Sequence, residues 1–335
     1  MKYITLALAL AFAGVCTVCS CVTGAEGTAA LILGNSSEAP LFLSCKAVSG
    51  NEIAFEFSLP VQVLSLNFSP PVQVDEVENG SIVRVVYSGG PEPGERLTAD
   101  LLAEDENGNT INVLVPLRTR NDRIPRMRIN ELRTETAKPK YEFIEFKILA
   151  DGNLGALQVI VSGNYKNPLL YEFPSIEVKA GEYVTLHLRT TEEGQRDELG
   201  SNLAESSGTE SAAAARDLWI PGSTKLLHKT DAVYLLDQDA CIIDAVMLSE
   251  SADIWWSKDY FAETADLLFR MNAWKSPGDA VCGPAEAVSS AGTTATRTIC
   301  RDETLDKNSG TAADWYIAAT SCATPGMPNN PKRHN

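Results

Sequence analysis

Short apolar runs that alternate with polar residues, and that end in turn signals, restrict the fold of this chain more than any other feature. Apolar residues recur at period two in 53–59 and 82–87, and Asn79-Gly80-Ser81 precedes the second run. Asp105-Glu106-Asn107-Gly108-Asn109 separates two more runs, which predicts a hairpin. About seven such runs fall in the stretch 29–123, and this density is typical of a small β-sandwich.

In pattern and length, the stretch 29–123 resembles bacterial immunoglobulin-like or fibronectin III-like domains. The polar, proline-bearing segment 120–125 follows it. Few strand contacts can cross such a segment, so we place the domain boundary there.

The second half carries motifs in a recognisable order. Ile-Asn-Glu-Leu stands at 129–132, Glu-Phe-Ile-Glu-Phe at 142–146, and a Gly-x-Tyr strand near 181–183. Asp314-Trp315 and a Thr-Pro-Gly-x-x-Asn tail at 324–329 close the series. This order resembles the lamin-tail domain, an immunoglobulin-like β-sandwich that also occurs in exported bacterial proteins. The resemblance covers 126–330 and implies an all-β chain with two immunoglobulin-like β-sandwiches in tandem.

Two insertions depart from the lamin-tail pattern. The acidic stretch 191–217 is rich in Ser, Ala and Gly, and we expect a mobile surface loop because it has little apolar area to bury. The stretch 252–295 predicts a helix over 258–272, capped by Ser257. Its apolar stripe consists of Phe261, Ala265, Leu268 and Trp274.

Tryptophans concentrate around this predicted helix: Trp255 and Trp256 precede it, and Trp274 follows. Two interpretations stay open. The indoles pack the helix onto the sandwich, or part of the helix and its tryptophans form an exposed docking surface for a protein partner or a carbohydrate.

The first 21 residues are typical of a signal peptide, since an apolar run follows Met1-Lys2 and is too short for a permanent membrane span. Val18-Cys19-Ser20-Cys21 resembles a bacterial lipobox, which makes Cys21 the predicted lipid attachment site. Cleavage near Ser20 without lipid is the alternative. Residues 22–28 then form a tether, and we expect an exported protein anchored in the bacterial cell envelope, periplasmic or surface-exposed.

Four cysteines cluster late in the chain: Cys241, Cys282, Cys300 and Cys322. In an oxidising compartment they predict two disulfides, with three possible connectivities. A zinc site is the rival interpretation, but the cluster contains no Cys-x-x-Cys pair.

Catalytic signatures are missing from the sequence. It has three histidines, none at metal-ligand spacing, and we expect His187 on a strand surface. Glu142 and Glu145 fall on opposite faces of one strand, and Glu131 can approach either across the hairpin. We expect structural roles for these carboxylates, and neither a metal nor a cofactor.

These observations predict a non-catalytic cell-envelope lipoprotein that acts as a structural or interaction module for adhesion or scaffolding. A carbohydrate-binding module using exposed tryptophans, or an exported hydrolase with an unrecognised site, are the alternatives. A formal net charge of −16 argues against nucleic acid as a partner, because phosphate binding needs a positive surface. The expected partners are the membrane, through the lipid, and an unidentified protein or glycan.

Overall fold

The computed structural model describes residues 38–162, 168–305 and 309–334. The predicted signal peptide, Cys21 and the tether 22–28 lie outside the described residues. What is described is mostly β-structure, arranged in several sheets. The chain divides into two compact units, with the division between Asp122 and Arg123. Within the described residues, no helix combines the length and apolarity that a membrane span requires.

The first unit is built around one long strand. Its strands are β1 (Phe42–Ser49), β2 (Glu52–Ser69), β3 (Gln73–Glu78), β4 (Gly80–Ser88), β5 (Arg96–Glu104) and β6 (Thr110–Arg118). The sheet order is β3-β4-β2-β5-β6, and β1 pairs with β2. The first part of β2 pairs with β1 and β4, whereas its second part pairs with β5. Period-two alternation buries Ile53, Phe55 and Phe57 of β2 in this unit's core.

The hairpin predicted around Asp105 joins β5 to β6. The Asp105 Oδ1 atom accepts hydrogen bonds from the backbone N–H groups of Asn107 and Asn109, each at 2.9 Å. Burial opposes ionisation of Asp105, but these bonds and one from the Asn109 side chain outweigh it and lower its pKa. The acidic residue therefore closes a turn.

The second unit contains two larger sheets. Its strands are β7 (Met127–Arg133), β8 (Phe143–Ile148), β9 (Gly152–Asn153), β10 (Gln158–Val161), β11 (Leu169–Glu172), β12 (Glu177–Val178), β13 (Tyr183–His187), β14 (Arg216–Trp219), β15 (Asp231–Leu236), β16 (Ile242–Ser249), β17 (Val288–Ser289), β18 (Ile299–Arg301) and β19 (Trp315–Ile317). One sheet has the order β11-β10-β15-β16-β17 and the other β14-β13-β8-β7-β18-β19, while β9 pairs with β12. Parallel pairing joins β13 to β14 and β16 to β17.

Apolar side chains from both larger sheets form one continuous core. Ile129 and Phe146 come from one sheet, and Val159 and Val246 from the other, all fully buried. The two sheets therefore share a single apolar interior.

One α-helix, α1 (Asp259–Arg270), lies in the described part of this unit, together with 3₁₀ turns at Pro284–Glu286 and Ala312–Asp314. Phe261, Ala265 and Leu268 are its buried residues, as the predicted stripe requires. The predicted cap is wrong: Lys258 occupies the N-cap position, and no side chain caps the helix. Packing on the core, together with Asp259 in the first turn, stabilises the helix instead.

The acidic stretch 191–217 is held by buried polar contacts. Glu198 is fully buried, and its carboxylate accepts hydrogen bonds from the N–H groups of Glu205, Ser206 and Asp217. Arg216 and Asp217 themselves lie in β14. Amino-acid composition reflects the apolar area that a stretch can bury, but it does not reveal polar anchoring of this kind.

Candidate functional site

Two buried carboxylates lie side by side in the second unit. Glu131 of β7 and Glu145 of β8 are cross-strand partners, and both side chains are fully buried. Directly opposed residues of an antiparallel pair point to the same face. Of the two glutamates that Glu131 can approach in sequence, it therefore meets Glu145, while Glu142 pairs with Arg189 at 2.6 Å.

Backbone N–H groups of a distant segment cap this pair. The Glu145 Oε2 atom accepts a hydrogen bond from the Gly326 N–H at 2.6 Å, and the Glu131 Oε2 atom accepts one from the Thr324 N–H at 3.2 Å. The other oxygens accept from side chains, that of Glu145 from Asn130 and that of Glu131 from Thr298. We call residues 322–329 the covering segment. It lies over the carboxylate pair and donates directly to it.

Glu303 adds a third carboxylate to the same cluster. It pairs with Lys147, and its Oε1 atom accepts from the Asn130 side chain at 2.9 Å and from the Asn329 N–H at 3.1 Å. The Asn329 side chain in turn donates to the backbone oxygens of Asn130 and Arg301, each at 3.0 Å. Asn329 thus fixes the far end of the covering segment.

The environment shifts the pKa values of the three carboxyl groups in different directions. Burial raises the pKa of Glu131 and that of Glu145, and the charge of Glu131 raises the Glu145 pKa further. Burial also opposes ionisation of Glu303, but hydrogen bonds from Lys147 and Asn130 outweigh it and lower its pKa. Neighbouring acids with raised pKa values suit acid–base chemistry. In this structure both members of the pair are fully buried, and the covering segment donates hydrogen bonds to them.

A second buried charge pair links the two larger sheets. The Asp244 Oδ2 atom of β16 accepts from the Ile129 N–H at 2.8 Å and from the Arg301 guanidinium at 2.6 Å. Arg301 also donates to the Ile129 carbonyl at 2.7 Å and lies 4.4 Å from the Trp315 ring centroid. Every one of these contacts ties strands together, which is a structural role.

His187 is buried, so the prediction of a surface histidine is wrong. Its Nε2 atom lies 2.9 Å from the Asp217 Oδ1 atom, and its ring stacks on Trp219 with 3.7 Å between centroids. Parallel pairing of β13 with β14 brings these residues together. In the described part of the chain, the hydrogen-bond partner of the imidazole is the Asp217 carboxylate.

The three tryptophans singled out in the sequence have different environments. Trp255 is 82% exposed, next to Ile254 at 76%. Trp256 is half-buried and donates its indole N–H to the Cys282 carbonyl at 2.9 Å, while Trp274 is fully buried in the core. Trp256 and Trp274 pack the insertion, and Trp255 extends into solvent.

The four late cysteines are all unbonded thiols in the structure. Cys241 is exposed, Cys282 and Cys300 are buried, and Cys322 is half-buried. The two predicted disulfides are not formed. The described residues also contain no cluster of three metal-ligating side chains.

A cavity of about 310 Å³ opens between the start of β16 and the turn after α1, at a size that small-molecule sites reach. Its lining consists of Ile242, Ile243, Asp244, Asn272, Ala273, Trp274, Lys275, Ser309 and Gly310. The polar groups that have described contacts there are already engaged: Asp244 binds Arg301, Lys275 pairs with Asp279, and Ser309 binds Asp314. Sequence reasoning missed this cavity because it joins three distant segments.

Comparison with known proteins matches most of the second unit to a protein family. A family model described as "protein second domain" matches residues 125–317. The chain belongs to this family. The second-domain match takes in every strand from β7 to β19, whereas the covering segment lies beyond it.

This chain is also similar to an uncharacterized protein of Treponema pallidum (strain Nichols). The two sequences are 29% identical over 150 residues, which are 43% of this chain and 38% of that protein. The match therefore spans well under half of the relative's length.

Proposed function

We propose that this chain is a non-catalytic binding module of a bacterial cell-envelope lipoprotein, lipidated at Cys21 and carrying its contact surface on the helical insertion. The single observation that carries the binding role is the exposed pair Ile254 and Trp255, at 76% and 82%. Adjacent large apolar side chains on a surface are a mark of an interaction site. A hydrolase is the weaker interpretation, because Glu131 and Glu145 are buried and hydrogen-bonded by the covering segment.

The proposal includes two immunoglobulin-like β-sandwiches, the second of lamin-tail type. Two larger sheets with one shared core support a sandwich for the second unit. The motif residues of the lamin-tail resemblance also contact one another, since Glu145 accepts from the Gly326 N–H and Glu131 from the Thr324 N–H. Sandwiches of this kind host many functions, so the binding role rests on the surface and not on the fold.

A carbohydrate is one partner that Trp255 favours. An exposed indole offers a flat apolar face with a polar edge, and such a face suits the C–H surface of a sugar ring. A protein partner with an apolar patch is the other class. Nucleic acid is disfavoured by the net charge of −16.

The binding role is tested with the chain from Gly24 onward on a glycan array and in a pull-down from envelope extracts. Trp255→Ala is compared with Leu114→Ala, which truncates another exposed apolar side chain at 59% exposure on the first unit. We expect Trp255→Ala to lose the signal and Leu114→Ala to keep it. Equal binding by both variants would remove Trp255 from the contact surface.

The lipid anchor is tested by metabolic labelling with a fatty acid. We expect the label on the wild-type protein and on Cys19→Ala, and its loss on Cys21→Ala. Unchanged labelling of Cys21→Ala refutes the attachment site, and an unlabelled wild type refutes the lipid.

A further inference from the structure

Cys300 belongs to a small apolar cluster that is separate from the main core. Cys300, Tyr316 and Ala318 are buried there, and Cys322 packs against them. Cys300 of β18 is the cross-strand partner of Tyr316 in β19 and of Glu131 in β7. Its thiol therefore lies on the sheet face that also carries the Tyr316 ring and the Glu131 carboxylate.

The chain around Cys322 is fixed over the same face on both sides. Before it, the Ser321 N–H donates to the Thr296 carbonyl at 2.8 Å. After it, the Thr324 N–H donates to the Glu131 Oε2 atom at 3.2 Å. Cys322 thus lies between two anchors, and one of them is the cross-strand partner of Cys300.

The other two late cysteines have no such partner within the described residues. Cys282 packs in the main core, and its thiol lies 3.2 Å from the Gly283 carbonyl oxygen. Cys241 is exposed in the turn that leads into β16, where its N–H donates to the Asp237 side chain. Of the three connectivities, only the one that contains Cys300–Cys322 joins cysteines of one cluster.

We propose that Cys300 and Cys322 are the disulfide-forming pair of this chain and that Cys241 and Cys282 stay thiols. In the cell this rests on the proposed export, because disulfides persist in oxidising compartments. The bond would fasten the covering segment over Glu131 and Glu145.

The reaction needs a disulfide oxidant, such as oxidised glutathione or an exported dithiol oxidase. The half-buried Cys322 loses its proton and attacks the oxidant, forming a mixed disulfide and releasing one thiol. Cys300 then loses its proton and attacks the Cys322 sulfur, which expels the second thiol and leaves the protein disulfide. The oxidant takes up the two electrons that the cysteines lose. Burial, together with the charge of Glu131, raises the pKa of the Cys300 thiol, so Cys300 is the second to react.

The test uses the purified chain from Gly24 onward, reduced and then equilibrated with oxidised glutathione. Free thiols are alkylated, and the digest is mapped by mass without reduction. We expect one cross-linked peptide joining Cys300 to Cys322, present also in Cys241→Ser and lost in Cys322→Ser. Alkylation of both Cys300 and Cys322, glutathione adducts without a cross-link, or a Cys241–Cys282 bridge in their place would each overturn the pairing.

The same mapping on protein isolated from cells separates this proposal from the proposed function. A cross-link in the purified chain with free thiols in cells supports the pairing and counts against export. Fatty-acid labelling without any cross-link in the purified chain supports the lipoprotein and overturns the pairing.

Discussion

Gly326→Ala isolates the contact between the covering segment and Glu145. Gly326 has φ of +79°, and an added Cβ would lie 2.8 Å from the Ala215 backbone nitrogen and 2.9 Å from the Ala215 Cβ atom. A left-handed alanine costs about 1 kcal/mol. The crowding also forces the segment away from Glu145, and losing a hydrogen bond at a buried acceptor costs about 1–3 kcal/mol. The free energy of unfolding should therefore fall by roughly 2–4 kcal/mol in total.

A destabilisation of this size is easily measured. For a unit of this size, each kcal/mol corresponds to about 2–4 °C, so we expect the midpoint to fall by roughly 4–16 °C. Urea and thermal unfolding followed by tryptophan fluorescence report on the second unit alone, because all five tryptophans lie after residue 123. Gly181→Ala is the matched control, since Gly181 has φ of +90° with no atom within 4 Å of an added Cβ. If both variants lose the same stability, the covering segment is not held against Ala215 and Glu145 as described.

Three further perturbations test other parts of the second unit. Glu145→Gln removes a carboxyl group whose pKa is raised in the folded state, chiefly by burial. The stability of the wild type relative to this variant should therefore be greatest below the ordinary glutamate pKa of 4.5 and should decline as the pH rises. Urea titrations over a pH series measure this difference in stability, and a difference that stays constant with pH would contradict the prediction. Trp274→Ala leaves a cavity in the core and should lower the free energy of unfolding by about 3–5 kcal/mol. Trp255→Ala, at an exposed position, should change it by no more than about 0.5 kcal/mol. Thermal unfolding measures both variants, and equal losses of stability would contradict the burial assigned to the two tryptophans. Glu198→Ala should speed limited proteolysis within 191–215, because the backbone N–H groups of Glu205, Ser206 and Asp217 lose their acceptor. Glu193→Ala, at an exposed position, should be cleaved like wild type, and matching rates for the two variants would exclude Glu198 as the anchor.

Sequence patterns predicted local features of this fold better than distant ones. Period-two alternation marks β2 and β4 because one face of each strand is buried. The helix stripe likewise marked Phe261 and Leu268, since a 3.6-residue period is visible within a few turns. The residue before a helix has no such period, so the sequence left the exposure of Trp255 open.

The candidate site could be predicted only in part, because some of its contacts join segments that are distant in the sequence. From the predicted hairpin we expected Glu131 to approach Glu142 or Glu145, and we expected structural roles for these carboxylates. The amides that bind them belong to Thr324 and Gly326, and no local pattern connects those positions to β7 and β8. The burial of Glu198 and of His187 depends on polar partners, which hydrophobic patterning does not register, so the surface position predicted for His187 was wrong.

The sequence separation between the covering segment and the carboxylates that it contacts also sets the order in which these groups are synthesised. Gly326 and Glu145 are 181 positions apart in the chain. At about 5–20 residues per second, a ribosome adds Gly326 roughly 9–36 s after Glu145. During that interval β7 and β8 can pair and Asn130 can donate to Glu145, but the N–H groups of Thr324 and Gly326 are not yet present. The face of the nascent second unit that carries Glu131 and Glu145 therefore stays uncovered, and its final consolidation waits for the arrival of residues 322–329.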